Sequence, residues 1–222
     1  MELSTRTTGL AGLLAAALVG AGEFALHFDP LARFTGYDYM ATISESRQTL
    51  GHFLTVIGMP FYFVGAWHMF EMLRPAGRRL AFVGFLITCF GFVFGAVWMG
   101  SRATIGSLAH HAALLEGTNL VALYELRYES LLQVVRTTTL ALSVIYVYLV
   151  WTGRTRYPRW MVAVNPFLLI VACFLLFVVW RDVGKFVMPI ALNVAFAIFF
   201  VCSLRFGRPP VPNTRATVIQ TS

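Results

Sequence analysis

Glu125, Glu129, Gln133 and Arg136 recur four, four and three residues apart inside an otherwise apolar stretch, a spacing that puts all four on one face of a helix. The stretch runs on through Thr137, Leu140, Leu142 and Val144 to Val150, so Arg136 falls at hydrocarbon depth. An ionisable side chain there is a functional candidate by default, because lipid gives it no water and the fold must supply a partner. Two carboxylates suit general acid or base chemistry, and a guanidinium suits the holding of an anionic group.

Other ionisable residues fall at a similar level. Glu23 and His27 are four apart near the end of the first apolar stretch, and His52 opens the second. Arg102 closes the third, beyond a stripe of Gly91, Gly95 and Trp98. Glu23, His27, His52, Arg102, Glu129, Gln133 and Arg136, drawn from four helices, are therefore expected to converge on one pocket near one membrane face. Glu23 and Glu129 are its candidate acid and base; His27, His52, Arg102, Gln133 and Arg136 are its candidate binding residues. The opposite half offers only His68, Glu71, Asn165 and a mid-span Asn193.

Each residue also has a plainer reading. Arg136 and Glu23 could form a buried ion pair joining two helices, since charges in lipid need partners whatever the protein does. His68 and Glu71, three apart beside Arg74, fit an interfacial position where long side chains reach for water. His110 and His111 are adjacent, point about 100° apart on a helix, and read as loop residues that cannot jointly chelate a metal. Trp67, Trp98, Trp151, Trp160 and Trp180 fall near expected helix ends, as in an interfacial aromatic belt.

The elements that must position these groups follow from composition. With 58% hydrophobic residues, 12% charged residues and a mean hydropathy of +0.73, the chain exceeds what a water-soluble core needs. Six apolar segments stand out, at about 8–28, 50–73, 80–102, 126–151, 160–180 and 186–204. The expected fold is all-α, a polytopic bundle of six spans within residues 1–206, followed by a flexible tail from 207 to 222 with Pro209, Pro210 and Pro212. The first segment has near full spanning length, which favours a span over a cleaved signal peptide despite Arg6 before it and the small residues near Ala21.

Basic residues set the expected orientation. Arg6, Arg74, Arg78, Arg79, Arg154, Arg156, Arg159, Arg205, Arg208 and Arg215 gather on one side, with Glu2 and Glu71 the acids there. The other loops mix Arg33, Arg47, Arg181 and Lys185 with Asp29, Asp38, Glu45, Glu116 and Asp182. The first side, carrying both termini, should be cytoplasmic. A net charge of +7 thus reflects topology and anionic lipid head groups, not nucleic acid. Cys89, Cys173 and Cys202 lie inside apolar stretches and read as small core residues. Gly9, Gly12, Ala16 and Gly20 in the first segment, with Gly84, Gly91 and Gly95 in the third, predict that both helices sit deep in the bundle; the GxxxG step also permits a homodimer. Pro60 and Pro189 are candidate helix breaks, and no internal repeat is evident.

The segments GEFALHFDP at Gly22 to Pro30, GHFLTVIGMPFYFVGAWHMFEML at Gly51 to Leu73 and GSRA at Gly100 to Ala103 resemble a family of small bacterial integral membrane proteins of unknown function. The resemblance implies a bacterial inner membrane and no particular activity. A ceramidase-type hydrolase would want an HxxxH pair, and a retinal protein a lysine deep in its last helix; neither occurs.

The pocket, on the side away from the arginine-rich loops and so open to the outer face, suits binding of, or catalysis on, an amphipathic lipid or isoprenoid-like molecule. A metal could use His27 and His52, though no spacing requires one, and the sequence names no metal ligand and no cofactor. Alternatives are a bis-histidine haem protein with His27 and His52 as axial ligands, a small transporter or channel, and a purely structural role. A transporter should carry polar groups through both leaflets, and the basic half is poor in them.

Overall fold

The computed structural model describes residues 4–31, 38–111, 114 and 118–208. They form seven α-helices: α1 (Thr5–His27), α2 (Glu45–Leu73), α3 (Arg78–His110), α4 (Leu120–Trp151), α5 (Pro166–Val179), α6 (Arg181–Val187) and α7 (Ala191–Phe206). Short 3-10 turns at Asp38–Thr42, Arg159–Val164 and Met188–Ile190 join them. Glu2, Arg33, Glu116 and the expected tail beyond Arg208 lie outside the described residues.

Five stretches are long and apolar enough to cross a membrane: α1, α2, α3, α4 and the run Arg181–Phe206. That last run is one apolar stretch with a kink, because Pro189 lacks the N–H that would continue the ladder and a 3-10 turn takes its place. Pro60 breaks nothing, and α2 passes through it as one helix. The segment expected at 160–180 divides at Asn165. There the side chain accepts a hydrogen bond from the Phe167 N–H at 2.8 Å and Pro166 takes the first helical position, so α5 starts afresh and has only 14 residues. Those cover about 21 Å, short of about 30 Å of hydrocarbon.

α1 is the centre of the bundle, packed along α2 on one side and α7 on the other. Its glycines explain the closeness. A Cβ on Gly22 would come within 2.6 Å of the Gly51 carbonyl oxygen and within 2.5 Å of Thr55 Oγ1, so the α1 and α2 backbones touch there. Lower down, the Phe200 ring of α7 sits against both Gly12 and Gly65.

The expectation that α3 is equally deep is corrected. Half of the α1 apolar window is buried but only 28% of the α3 window, and Phe82, Val83, Leu86, Phe90, Val93 and Val97 face outward. Gly91 meets Thr138 of α4, but a single contact row against α4 and α2 does not enclose the helix. The hydroxyls of Thr137, Thr138 and Thr139, three polar residues in a row, are absorbed by α4's own carbonyls at 2.8 to 3.0 Å.

Candidate functional site

Five side chains from α1, α2, α3, α4 and α7 form one continuous buried chain. Arg102 Nη1 donates to Glu23 Oε1 at 3.3 Å, an ion pair whose members are 3% and 4% exposed. Asn193 Nδ2 donates to Glu23 Oε2 at 2.6 Å, and the Tyr62 hydroxyl donates to Asn193 Oδ1 at 2.6 Å. On the other side Arg102 Nε and Nη2 both donate to the Tyr128 hydroxyl, the first at 2.8 Å, while the guanidinium carbon lies 4.5 Å from the centre of the Trp98 ring. The pair is thus satisfied on both halves, as two charges removed from water must be.

Local sequence explains the convergence. Glu23 is on the α1 face that carries Gly12, Val19, Gly20 and Leu26 inward. Asn193 follows directly on the Pro189 turn, and a Cβ on Gly20 would meet its side chain at 3.1 Å, so the break in the α6–α7 run delivers the amide to α1. Trp98 precedes Arg102 by one turn and forms the floor beneath it.

Next to this chain lies a cavity of about 320 Å³, bounded by α1, α3, α4, α5 and the α6–α7 turn. Its polar wall is Glu23, His27, Trp98, Arg102, Tyr128, Glu129, Arg136 and Thr139. Its apolar wall includes Phe167, Ile170 and Phe174, which share one face of α5. Exposed Glu129, Arg136 and Phe174 mark its mouth between α4 and α5. A second cavity of about 30 Å³ shares Glu23, Trp98 and Thr139 with the first and reaches Tyr62 and Asn193.

Of the expected pocket residues, Glu23, His27, Arg102, Glu129 and Arg136 line the larger cavity, and His52 and Gln133 do not. Gln133 is exposed, turned about 100° from its neighbour Leu132, which does face the cavity. His52 lies against Gly100 of α3, 3.7 Å from the position of an added Cβ. The pairing of Arg136 with Glu23 is corrected: Arg102 holds that carboxylate, and Arg136 is exposed at the cavity's mouth. Trp98 is also corrected, since it is 7% exposed beneath Arg102 and takes no part in a belt.

Tyr62 and Tyr128 were missed because tyrosine in an apolar helix reads as packing; the residues that demand their hydroxyls are distant in sequence. Tyr39, on the 3-10 turn Asp38–Thr42, packs its ring 5.6 Å from that of His27, and burial holds its hydroxyl well above the ordinary tyrosine range.

A separate polar network occupies the other end of α1. His68 is 1% exposed; its Nδ1 lies 2.9 Å from the Thr5 carbonyl and 3.2 Å from Thr8 Oγ1, and its Nε2 lies 2.7 Å from Ser203 Oγ. Ser203 in turn contacts the Tyr157 hydroxyl at 3.4 Å. The interfacial reading of His68 is thereby corrected, while Glu71 does pair with Arg74 at 3.0 Å on the surface. His110 is the last residue of α3, not a loop residue, and its Nε2 lies 2.7 Å from the Ile43 carbonyl; His111 follows the helix in a turn, as a loop residue would. Among the described residues, no group of three or more His, Cys, Asp or Glu could hold a metal ion.

Fold and site together define an all-helical protein with five helices of membrane-crossing length and apolarity, built around a buried carboxylate–guanidinium pair beside a cavity. The chain belongs to a family of unknown function, DUF6796, whose model matches residues 3–205. No curated protein matches the chain. No solved structure matches it either.

Proposed function

We propose that this is a six-span bacterial inner-membrane protein whose cavity binds an amphipathic lipid or isoprenoid-like molecule. The observation that carries the reading is the two-sided lining of the cavity. Arg136, Glu129 and Thr139 project from α4, while Phe167, Ile170 and Phe174 form an apolar strip on α5. A volume of about 320 Å³ lies within the ordinary range for small-molecule sites, and a mouth between two helices admits a ligand sideways from lipid.

Binding is favoured over catalysis by Glu23. Both of its carboxylate oxygens are engaged, by Arg102 and Asn193, which leaves it poorly placed to exchange a proton with a ligand. Glu129, exposed on the cavity wall, is the better acid–base candidate. A bis-histidine haem needs both ligands in one space, whereas His27 lines the cavity and His52 does not. Conduction needs polar groups through the whole thickness, but the ring of Tyr62, at the end of the Glu23 chain, packs with those of Phe92 and Phe196, centroids 4.6 to 5.5 Å apart.

The sixth span rests on the Asn165 break. Asn165 Nδ2 donates to the Ser143 carbonyl at 3.2 Å, about 12 Å along α4 from Trp151, so α5 begins at depth and the turn Arg159–Val164 covers the approach. Turn and helix then span about 33 Å, enough to cross. The arginine-rich side is taken as cytoplasmic. Single cysteines at Arg78 and Asp182, in a chain stripped of its native cysteines, test this: outside reagent should label only position 182, and labelling of position 78 reverses the orientation.

Lipid mass analysis of the purified chain tests the ligand. Wild type should retain a stoichiometric amphiphile through detergent exchange, and Ile170→Trp, which fills the apolar wall, should lose it. Equal traces in both, at equal yield of folded protein, would sink the reading.

A further inference from the structure

The two guanidinium groups on the cavity wall differ in their partners. Arg102 is neutralised by Glu23, and its Nε and Nη2 donate to Tyr128. Arg136 lines the same cavity, and among the described residues it has no carboxylate within ion-pair distance. Glu129 is seven residues away on the same helix, about 10 Å along its axis, which is too far for a direct pair. Arg136 itself lies about 22 Å along α4 from Trp151, within the thickness of the hydrocarbon layer. A guanidinium at that depth, unpaired, is costly, and its planar fork matches the oxygens of a phosphate or carboxylate.

A second, independent group points to the same chemistry. Trp98 is more than nine-tenths buried, lines both cavities, and its indole Nε1–H has no acceptor among the described residues. Indole only donates, so an acceptor oxygen is what it requires. Unsatisfied buried donors are rare enough to call for an explanation, and a bound group is one of the standard ones.

We infer that the ligand of this cavity is an amphiphile with an anionic, oxygen-bearing head group, for which Arg136 supplies the countercharge and Trp98 a hydrogen bond. The inference rests on the amphiphile reading above and narrows it to one charge class. The tail lies along Phe167, Ile170 and Phe174, on the apolar side of the same space.

Equilibrium binding of radiolabelled dodecyl phosphate to the full-length chain in a neutral detergent tests it. Unlabelled dodecyl phosphate should compete at least about tenfold better than dodecyl glucoside or dodecyltrimethylammonium, as a charge-assisted contact implies. Arg136→Gln should weaken binding about tenfold, Arg136→Lys should recover part of it, and Trp98→Phe should weaken it about threefold. Arg154→Gln, a change in the turn after α4, is the control. If Arg136→Gln does not fold, Trp98→Phe and the head-group series still decide. Equal competition by all three head groups, with Ile170→Trp abolishing binding, would keep the amphiphile and overturn its charge. Displacement by inorganic phosphate at the same concentration would assign the site to a free anion and overturn the amphiphile. No saturable binding of any probe would remove both readings, and unchanged affinity in Arg136→Gln would remove Arg136 from the site.

Discussion

The two ends of α1 each carry a buried polar network, and they are built on opposite principles. At the Glu23 end an ion pair is wrapped by two tyrosines, an asparagine and an indole, and it borders a cavity with an exposed arginine at its mouth. At the His68 end the groups are an imidazole, three hydroxyls and a carbonyl, and none of His68, Thr8, Ser203 or Tyr157 lines either cavity. Packed aromatic rings of Phe92, Phe196 and Phe200 separate them. A closed network of dipoles with its partners in place ties α1, α2, α7 and the α4–α5 connection together. A charged network beside empty space holds more than packing requires. Burial of polar groups is common to both, so burial alone does not mark a site; the adjoining space and the unpaired Arg136 do.

That contrast breaks most sharply at Glu23. Glu23→Leu leaves Arg102 buried without its counter-charge and should lower stability by about 3 to 5 kcal/mol in detergent unfolding. Combining it with Arg102→Met should recover most of the loss, because an apolar pair of similar size removes both desolvation costs. A double variant as unstable as the single one would show that the two residues do not act as a unit.

Gly22→Val comes next, at about 2 to 3 kcal/mol, since a Cβ there meets Gly51 backbone and the helices must part. The same unfolding assay reads it, with Gly84→Ala, whose nearest neighbour is a side-chain methyl at 3.4 Å, as the mild comparison.

At the other end His68→Phe should cost about 1 to 2 kcal/mol by removing the imidazole contacts to Ser203, Thr8 and the Thr5 carbonyl. Dodecyl phosphate binding should be unchanged in this variant, and a parallel loss of binding would mean the ends are coupled through the aromatic layer.

Arg136→Gln should have the smallest effect on stability, within about 0.5 kcal/mol and no larger than Arg154→Gln, because Arg136 is exposed and no ion pair among the described residues is lost. A large drop in melting temperature for Arg136→Gln alone would make the residue structural and erase the distinction between the two ends.

Much of the fold was legible because lipid allows few solutions: long apolar runs had to become helices, although α2 and α4 begin five and six residues before the apolar runs that mark them, at Glu45 and Leu120. The break at Asn165 was harder to see, since Asn-Pro after an apolar pair is both a helix start and a tolerated interruption. Within the site, Glu23 and Arg102 announced themselves by charge. Their partnership did not, because the spacing on α4 drew attention to Arg136, and only the position of α3 beside α1 and α4 decides which arginine reaches the carboxylate. Tyr62, Tyr128 and Trp98 were hidden by their ambiguity, as apolar bodies with one polar atom.

The sequence by itself determined the class of this protein: composition and the length of its apolar runs leave the backbone no partner but itself, so helices of spanning length are required. It also determined that several charges would lie along those helices, since their positions in the chain are fixed. Which charges meet, which remain open to a cavity and which histidine is enclosed was decided by tertiary packing. Glycine contacts of α1 with α2 and α7, and the turn at Pro189, set the relative rotation and height of the helices. A helical residue's neighbour changes with every 100° of that rotation, and no local spacing encodes it.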